Sequence, residues 1–296
     1  MTAGIEGVAF CMIQKEIEDY LSWKGSYTAK ASVTYRVHLE RFNGLVKKII
    51  SEIGITDIIK FQQMMKNKYA IANVAYATIV IKNFFDFYRR QGIKCIDPFI
   101  IRAPKFMPRP HCHITFEEYQ KMENTVTRSE FFTLEKRIIL RLLWETGIRV
   151  SELCDLNIAD IENEPKAFIR TKKGNRMRWI FWSPETHRHL MQYLGIRLCM
   201  NQREHLFMAG IKGRGIRLTT RSVQRWIKEM ASSANLKKKV SPHSLRHSKA
   251  HHILDLGGNI VEIMRILGHS RNNPRAALDY LQFNDKEMEK TARKYV

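Results

Sequence analysis

The chain has 296 residues, 44% of them hydrophobic, and sets 50 Lys and Arg against 29 Asp and Glu for a formal net charge of +21. That length divides comfortably into two domains, each able to bury a core, and a positive excess of this size repels itself unless a polyanion lies against it, so nucleic acid is the expected partner. With no 18-residue apolar run, signal-peptide layout or lipidation motif, a soluble cytoplasmic protein without a membrane partner is expected, and five scattered cysteines with no CxxC pair argue against a disulfide framework or a cysteine-built zinc site.

Residues 1–12 read as an N-terminal tail. From residue 13 to 100 the pattern is helical: apolar residues recur three and four apart in IEDYLSWKG, VTYRVHLERFNGLVKKII and VAYATIVIKNFFDFYRR, which predicts a bundle of about four helices. Its outward residues include Lys30, Arg36, Arg41, Lys47, Lys48, Lys82, Arg89 and Arg90, a candidate face for tracking phosphates. Residues 101–114 carry Pro104, Pro108 and Pro110 in a basic, aperiodic setting and read as a linker; the HCH of residues 111–113 has no assigned part. Thr115 and Glu118 then form a capping-box pattern that opens a second domain, residues 115–284, followed by a tail at 285–296.

In that domain EKRIILRLLWETG reads as an amphipathic helix closed by Gly147 and VSELCDLNIADI as another, so that Arg149 falls at the sharp junction between them. AFIRTKKGNRMRWIFW alternates on either side of Lys173-Gly174-Asn175 and predicts a β-hairpin. Helices resume with SPETHRHLMQYLGIRL, TTRSVQRWIKEMASSAN, the His243 segment and NIVEIMRILG, and Trp144, Trp179 and Trp182 are expected in the core. The fold class is mainly α with a small β-hairpin. Two basic runs hold no acidic residue, KAFIRTKKGNRMR and IKGRGIRLTTRSVQRWIK. Lys172, Arg176, Arg178, Arg217, Arg221, Arg225 and Lys228 are the candidate DNA contacts from these runs. The last four lie near helical spacing, and Thr219 or Thr220 is the expected cap.

Breaking a phosphodiester without a metal requires an in-line nucleophile, positive charge on the non-bridging oxygens and a proton for the departing oxygen. Arginine suits the second task because its planar fork stays charged and grips two oxygens, and lysine suits the third as a movable acid. The run from Thr115 to Tyr280 resembles the tyrosine recombinases, which include phage integrases and chromosome-dimer resolvases. The resemblance rests on TGIRVSEL, which holds Arg149, on HSLRH, which holds His243 and Arg246, on the later LGH with His269, and on Tyr280. The family's hairpin lysine matches Lys173, with Lys172 one residue away; a register slip would exchange their faces.

The resemblance implies that a helical, DNA-binding (core-binding) N-terminal domain and a mostly helical catalytic domain close around duplex DNA. It implies that Arg149 and Arg246 clamp the scissile phosphate, His243 assists proton removal from Tyr280, His269 hydrogen-bonds a phosphate oxygen and Lys173 protonates the leaving oxygen. Glu152 would support Arg149 from behind. The product would be a 3′-phosphotyrosyl link, with no cofactor or metal, formed in a homotetramer assembled on two sites in double-stranded DNA. Three positions depart from the family's pattern: the gap from His269 to Tyr280 is slightly long, Ala277 replaces a usual threonine, and Lys249 replaces a usual aromatic. Tyr295 is the reserve nucleophile. The alternatives are a type IB topoisomerase-like enzyme, a DNA-binding protein of the same fold without catalysis, and a metal-dependent nuclease built on His243, His247 and His251, which recur every four residues.

Overall fold

A computed structural model describes residues 12–27, 29–106, 112–127, 130–171, 176–200, 204–209 and 216–268. The chain divides into two compact units, residues 1–109 and 110–296.

The first unit is built on four helices, α1 (Gln14–Tyr27), α2 (Ala29–Val46), α3 (Ile55–Lys68) and α4 (Ile71–Arg90), with short 3-10 turns at Ile50–Glu52 and Pro98–Ile100. α4 buries Val74, Ala77, Ile81, Phe84, Phe85 and Tyr88, the three-and-four spacing of one helical face. Phe42 meets Phe61 and Phe85 edge to face at 5.3 and 6.2 Å, and the Tyr88 hydroxyl donates to the Glu16 carbonyl at 2.7 Å, tying α4 to α1. Several of the basic residues have acidic neighbours: Arg36 with Glu18 and Glu40, Lys48 with Asp57, Arg89 with Asp97 and Arg90 with Asp86. Arg41 lies over the Tyr69 ring and Lys82 over Phe99. Such surface pairs add little stability, but they reduce the charge this unit offers to an anion.

The second unit contains α5 (Phe116–Glu123), α6 (Phe131–Thr146), α7 (Val150–Asp155), β1 (Lys166–Thr171), β2 (Arg176–Phe181), α8 (Pro184–Met200), β3 (Met208–Ala209), β4 (Ile216–Arg217), α9 (Thr220–Ser233), α10 (Pro242–Asp255) and α11 (Ile260–Leu267). The capping box opens α5 as expected: Thr115 Oγ1 accepts from the Glu118 N–H at 3.3 Å, and Glu118 accepts from the Thr115 N–H at 2.9 Å. α6 is the axis of the unit. It buries Leu134, Ile138, Ile139, Leu142 and Leu143 in a core shared with α5, the hairpin, α8 and α9. Arg141 on α6 binds Glu123 of α5, Glu185 of α8 and Thr186 Oγ1, which locks three helices together.

β1 and β2 pair antiparallel, with Thr171 opposite Arg176 and Lys166 opposite Phe181, so the connection falls on residues 172–175. The expected hairpin is therefore present. A second, two-residue ladder pairs β3 with β4. Arg217 stands on β4, just ahead of the helix that Thr219 caps. Trp144 and Trp182 are buried as expected, but Trp179 is 42% exposed. The pleat explains this: Ala167, Ile169, Arg178 and Ile180 share the inner face, leaving Phe168, Met177, Trp179 and Phe181 outside. Ile101 is buried in the core of the first unit and Ile114 in that of the second, where its N–H donates to Ser248 Oγ at 2.8 Å.

Candidate active site

The candidate site grows from two helix ends. α6 terminates at Gly147 with φ 60°, a left-handed cap, and a side chain at that position would run into Leu267 Cδ2. The chain turns at once into α7, with Arg149 as its cap residue at φ −69°. Glu152, one turn into α7, accepts from the Arg149 backbone N–H at 3.1 Å and from Arg149 Nη1 at 2.7 Å. The TGIRVSEL run thus folds back on itself and fixes its own arginine. Arg149 keeps about a third of its side-chain surface exposed, whereas Glu152 is buried.

α11 supplies the opposite wall. Asn259 caps it by accepting from the Val261 and Glu262 N–H groups, Ile263 and Leu267 pack on Ala250, Ile253 and Leu254 of α10, and Gly268 ends it at φ 66°. The last carbonyls of a helix lack intrahelical donors, and here arginines take them. Arg178 Nε donates to Ile266 O at 3.3 Å, Arg246 Nη2 to Leu267 O at 2.5 Å and Arg149 Nη2 to Gly268 O at 3.5 Å. Arg246 also donates from Nη1 to Gly147 O at 2.6 Å. Three arginines therefore read three successive carbonyls at the end of the segment that leads into His269.

α10 begins with Ser241 as cap and Pro242 in the first turn. This presents His243 at the surface while Arg246, one turn later, is buried. His243 Nε2 and His247 Nε2 lie 2.8 Å apart, so one ring donates to the other. His251, a further turn along, stacks on His113 at 4.2 Å, and burial pushes its pKa down to about 4. His113, left without a part by the sequence, thus has one, and its carbonyl accepts from Lys238 at 3.3 Å. Among the described residues no group of three His, Cys, Asp or Glu could hold a metal ion.

Arg178 is the main change from the sequence reading. It was expected to contact DNA, yet its side chain is 9% exposed and faces inward, with Nη1 donating to Glu152 Oε2 at 3.1 Å. Burial draws the Arg178 guanidinium pKa down, and Glu152 opposes that shift. Burial alone would raise the Glu152 carboxyl, but the charges of Arg178 and Arg149 outweigh it and hold the group below the usual carboxylate range. Arg217 is likewise committed within the unit, donating to Cys154 O at 3.1 Å and Asn157 Oδ1 at 2.7 Å. On α9, Thr219 is the cap, accepting from the Ser222 N–H at 3.2 Å. Arg221, Arg225 and Lys228 are exposed on one face opposite buried Val223, Ile227 and Met230. Arg225 pairs loosely with Glu229 at 3.6 Å. Arg176 lies at the start of β2. Lys172, Lys173, His269 and Tyr280 lie outside the described residues, as do Ala277 and Tyr295.

Lys249 has a visible setting. Its stem lies beside Gly147, and it lines a cavity of about 540 Å³ together with Phe116, Tyr119, Trp144, Glu145 and His252. Burial lowers the Lys249 pKa and Glu145 opposes that shift. Among the described residues of the predicted catalytic set, Arg149, His243 and Arg246 do not line this cavity.

Residues 113–286 match the family described as phage integrase family. The chain belongs to that family and is a site-specific tyrosine recombinase. It is similar to the tyrosine recombinase XerC of Listeria innocua serovar 6a, with 26% identity over 274 residues that cover 87% of this chain and 89% of that relative. Two solved structures share the fold. XerH site-specific recombinase bound to a palindromic difH substrate superposes with a TM-score of 0.76 at 19% identity, covering 93% of this chain and 83% of that one. A lambda integrase tetramer bound to a Holliday junction gives 0.71 at 17% identity, covering 90% and 76%.

Proposed function

We propose that this recombinase cuts and rejoins double-stranded DNA through a covalent bond between Tyr280 and the 3′ side of the broken strand. The observation that carries the reading is the convergence of Arg149 and Arg246 on one junction, where both are held by the carbonyls of Leu267 and Gly268. Two fixed guanidinia beside one another suit the two non-bridging oxygens of a phosphate, whose charge grows in the transition state.

In the proposed reaction the Tyr280 hydroxyl attacks the scissile phosphorus in line and gives its proton to His243. The P–O bond to the 5′ oxygen breaks, and that oxygen takes a proton from Lys173, or from Lys172 if the hairpin register exchanges them. His269 donates to a phosphate oxygen. The free 5′ hydroxyl later attacks the phosphotyrosyl bond and restores the tyrosine, so bond energy is conserved. An unperturbed phenol has a pKa of about 10, and the neighbouring arginines lower the cost of forming its anion. His243, exposed at the first turn of α10 and backed by His247, is suited to receive the proton. By analogy with the lambda integrase tetramer on a Holliday junction, the working unit is a homotetramer on two DNA sites. XerC and XerH, reported above, are recombinases by name, which favours exchange of strands over simple relaxation.

Supercoiled DNA carrying the protein's own gene and flanks, incubated in EDTA and stopped with detergent, is expected to yield protein-linked DNA. Tyr280→Phe should abolish the adduct, and Arg246→Ala should slow its formation on a nicked suicide substrate by at least about 100-fold. An adduct that survives Tyr280→Phe would move the nucleophile elsewhere, with Tyr295 next in line.

A further inference from the structure

The Glu152 carboxylate is buried and is shared by two guanidinia: Oε1 accepts from Arg149 at 2.7 Å and Oε2 from Arg178 at 3.1 Å. A buried carboxylate facing Arg149 alone would form a neutral pair with it and offset the charge that the phosphate is meant to meet. With Arg178 present the cluster Arg149–Glu152–Arg178 carries one net positive charge. The bonds Arg178 makes lie within the fold: its side chain is nearly enclosed, Nη1 donates to Glu152 Oε2 and Nε donates to Ile266 O at 3.3 Å. Its position on the inner face of β2, opposite Ile169, also joins the hairpin that carries the candidate lysines to the end of α11.

We infer that Arg178 is a positioning residue for strand cleavage: it neutralises Glu152 so that the charge of Arg149 remains available to the scissile phosphate, and it latches the hairpin to the end of α11. This rests on the proposed roles of Arg149 and Tyr280. It separates two jobs that a basic run in the sequence cannot separate, holding DNA and holding the group that holds DNA.

Arg178→Met leaves Glu152 with Arg149 as its one counter-charge among the described residues, so single-turnover cleavage of a nicked suicide substrate should fall on the order of 100-fold, with DNA affinity changed less than threefold. Glu152→Gln alone should also slow cleavage, because its amide N–H groups would face the Arg178 guanidinium. Combining Glu152→Gln with Arg178→Met removes the uncompensated carboxylate, so the double variant should cleave at least tenfold faster than Arg178→Met alone. Arg178→Lys, which keeps the charge but not the fork, should retain an intermediate rate. Thermal unfolding of each variant in the intact protein shows which are folded. Rates that multiply in the double variant, or an Arg178→Met enzyme that cleaves at the wild-type rate, would overturn the inference. A wild type that forms no adduct would overturn the functional reading and this inference with it, whereas cleavage by the wild type with multiplicative variants removes only the role of Arg178.

Discussion

Glu135 shows what a single side chain can cost a core. It sits on α6 with no exposed surface, and its Oε1 accepts from the Tyr193 hydroxyl and the Met208 N–H, both at 2.9 Å. Its Oε2 is buried with no hydrogen-bond partner among the described residues. Burial pushes the carboxyl from its ordinary 4.5 up to about 7, against the opposing pull of those two donors. Between these values the unfolded chain releases the proton while the folded chain keeps it. Stability therefore falls as pH rises through that window, by at most about 1.4 kcal/mol per pH unit, and the loss is complete above about 7. Glu135→Gln keeps an acceptor at Oε1 and cannot ionise. Urea unfolding of the intact protein at pH 5 and pH 7 should show the wild type losing more stability over that interval than Glu135→Gln, on the order of 1–3 kcal/mol. Parallel pH dependence in the two proteins would mean that Glu135 is already ionised in the fold.

At the scale of elements, two glycines with the same backbone demand separate conformational strain from function. Gly257, in the turn between α10 and α11, has φ 86° and open space around its α-carbon, while Gly268, at the end of α11, has φ 66° and would place a Cβ 2.7 Å from Arg178 Cδ. Alanine in the left-handed region costs about 1–2 kcal/mol at either site. Gly257→Ala should pay that cost alone, with cleavage by the folded enzyme unchanged. Gly268→Ala should pay it and also displace Arg178 and the carbonyl that Arg149 holds, so cleavage should drop well beyond what loss of folded protein explains. Equal cleavage by the two folded variants would show that the end of α11 tolerates movement. The junction that carries Arg149 was legible in the sequence, because an apolar three-and-four repeat running into Gly147 both ends a helix and dictates a turn. The inward place of Arg178 was not. In β2 the larger apolar residues Met177, Trp179 and Phe181 lie outside and the arginine inside, so hydrophobic alternation, normally the guide to a strand's buried face, points the wrong way. The ladder of β3 and β4 holds two residues per strand, too few for any period to register, so the strand that carries Arg217 was not legible in the sequence.

The whole molecule carries a net charge of +21, and the structure sorts those charges by what they can reach. In the first unit Arg36, Lys48, Arg89 and Arg90 face carboxylates, and in the second Arg141, Arg178 and Arg217 are bound within the fold. The exposed face of α9, with Arg221 and Lys228, stands ready for a polyanion. Because each neutralised DNA phosphate releases a counterion, the logarithm of affinity should fall linearly with the logarithm of salt, with a slope of about −0.9 for each phosphate contact. Arg221→Ala combined with Lys228→Ala should therefore reduce the slope by about two, while the rate of cleavage at saturating protein stays near wild type. Arg178→Met should do the reverse, leaving the slope intact and lowering the rate. Fluorescence anisotropy on a labelled duplex between 50 and roughly 300 mM salt measures the first quantity, and single-turnover cleavage measures the second. A flat salt response in the wild type would remove the electrostatic account of binding altogether. A slope that dropped with Arg178→Met would return that side chain to the DNA-contacting surface, where the basic run in the sequence first suggested it.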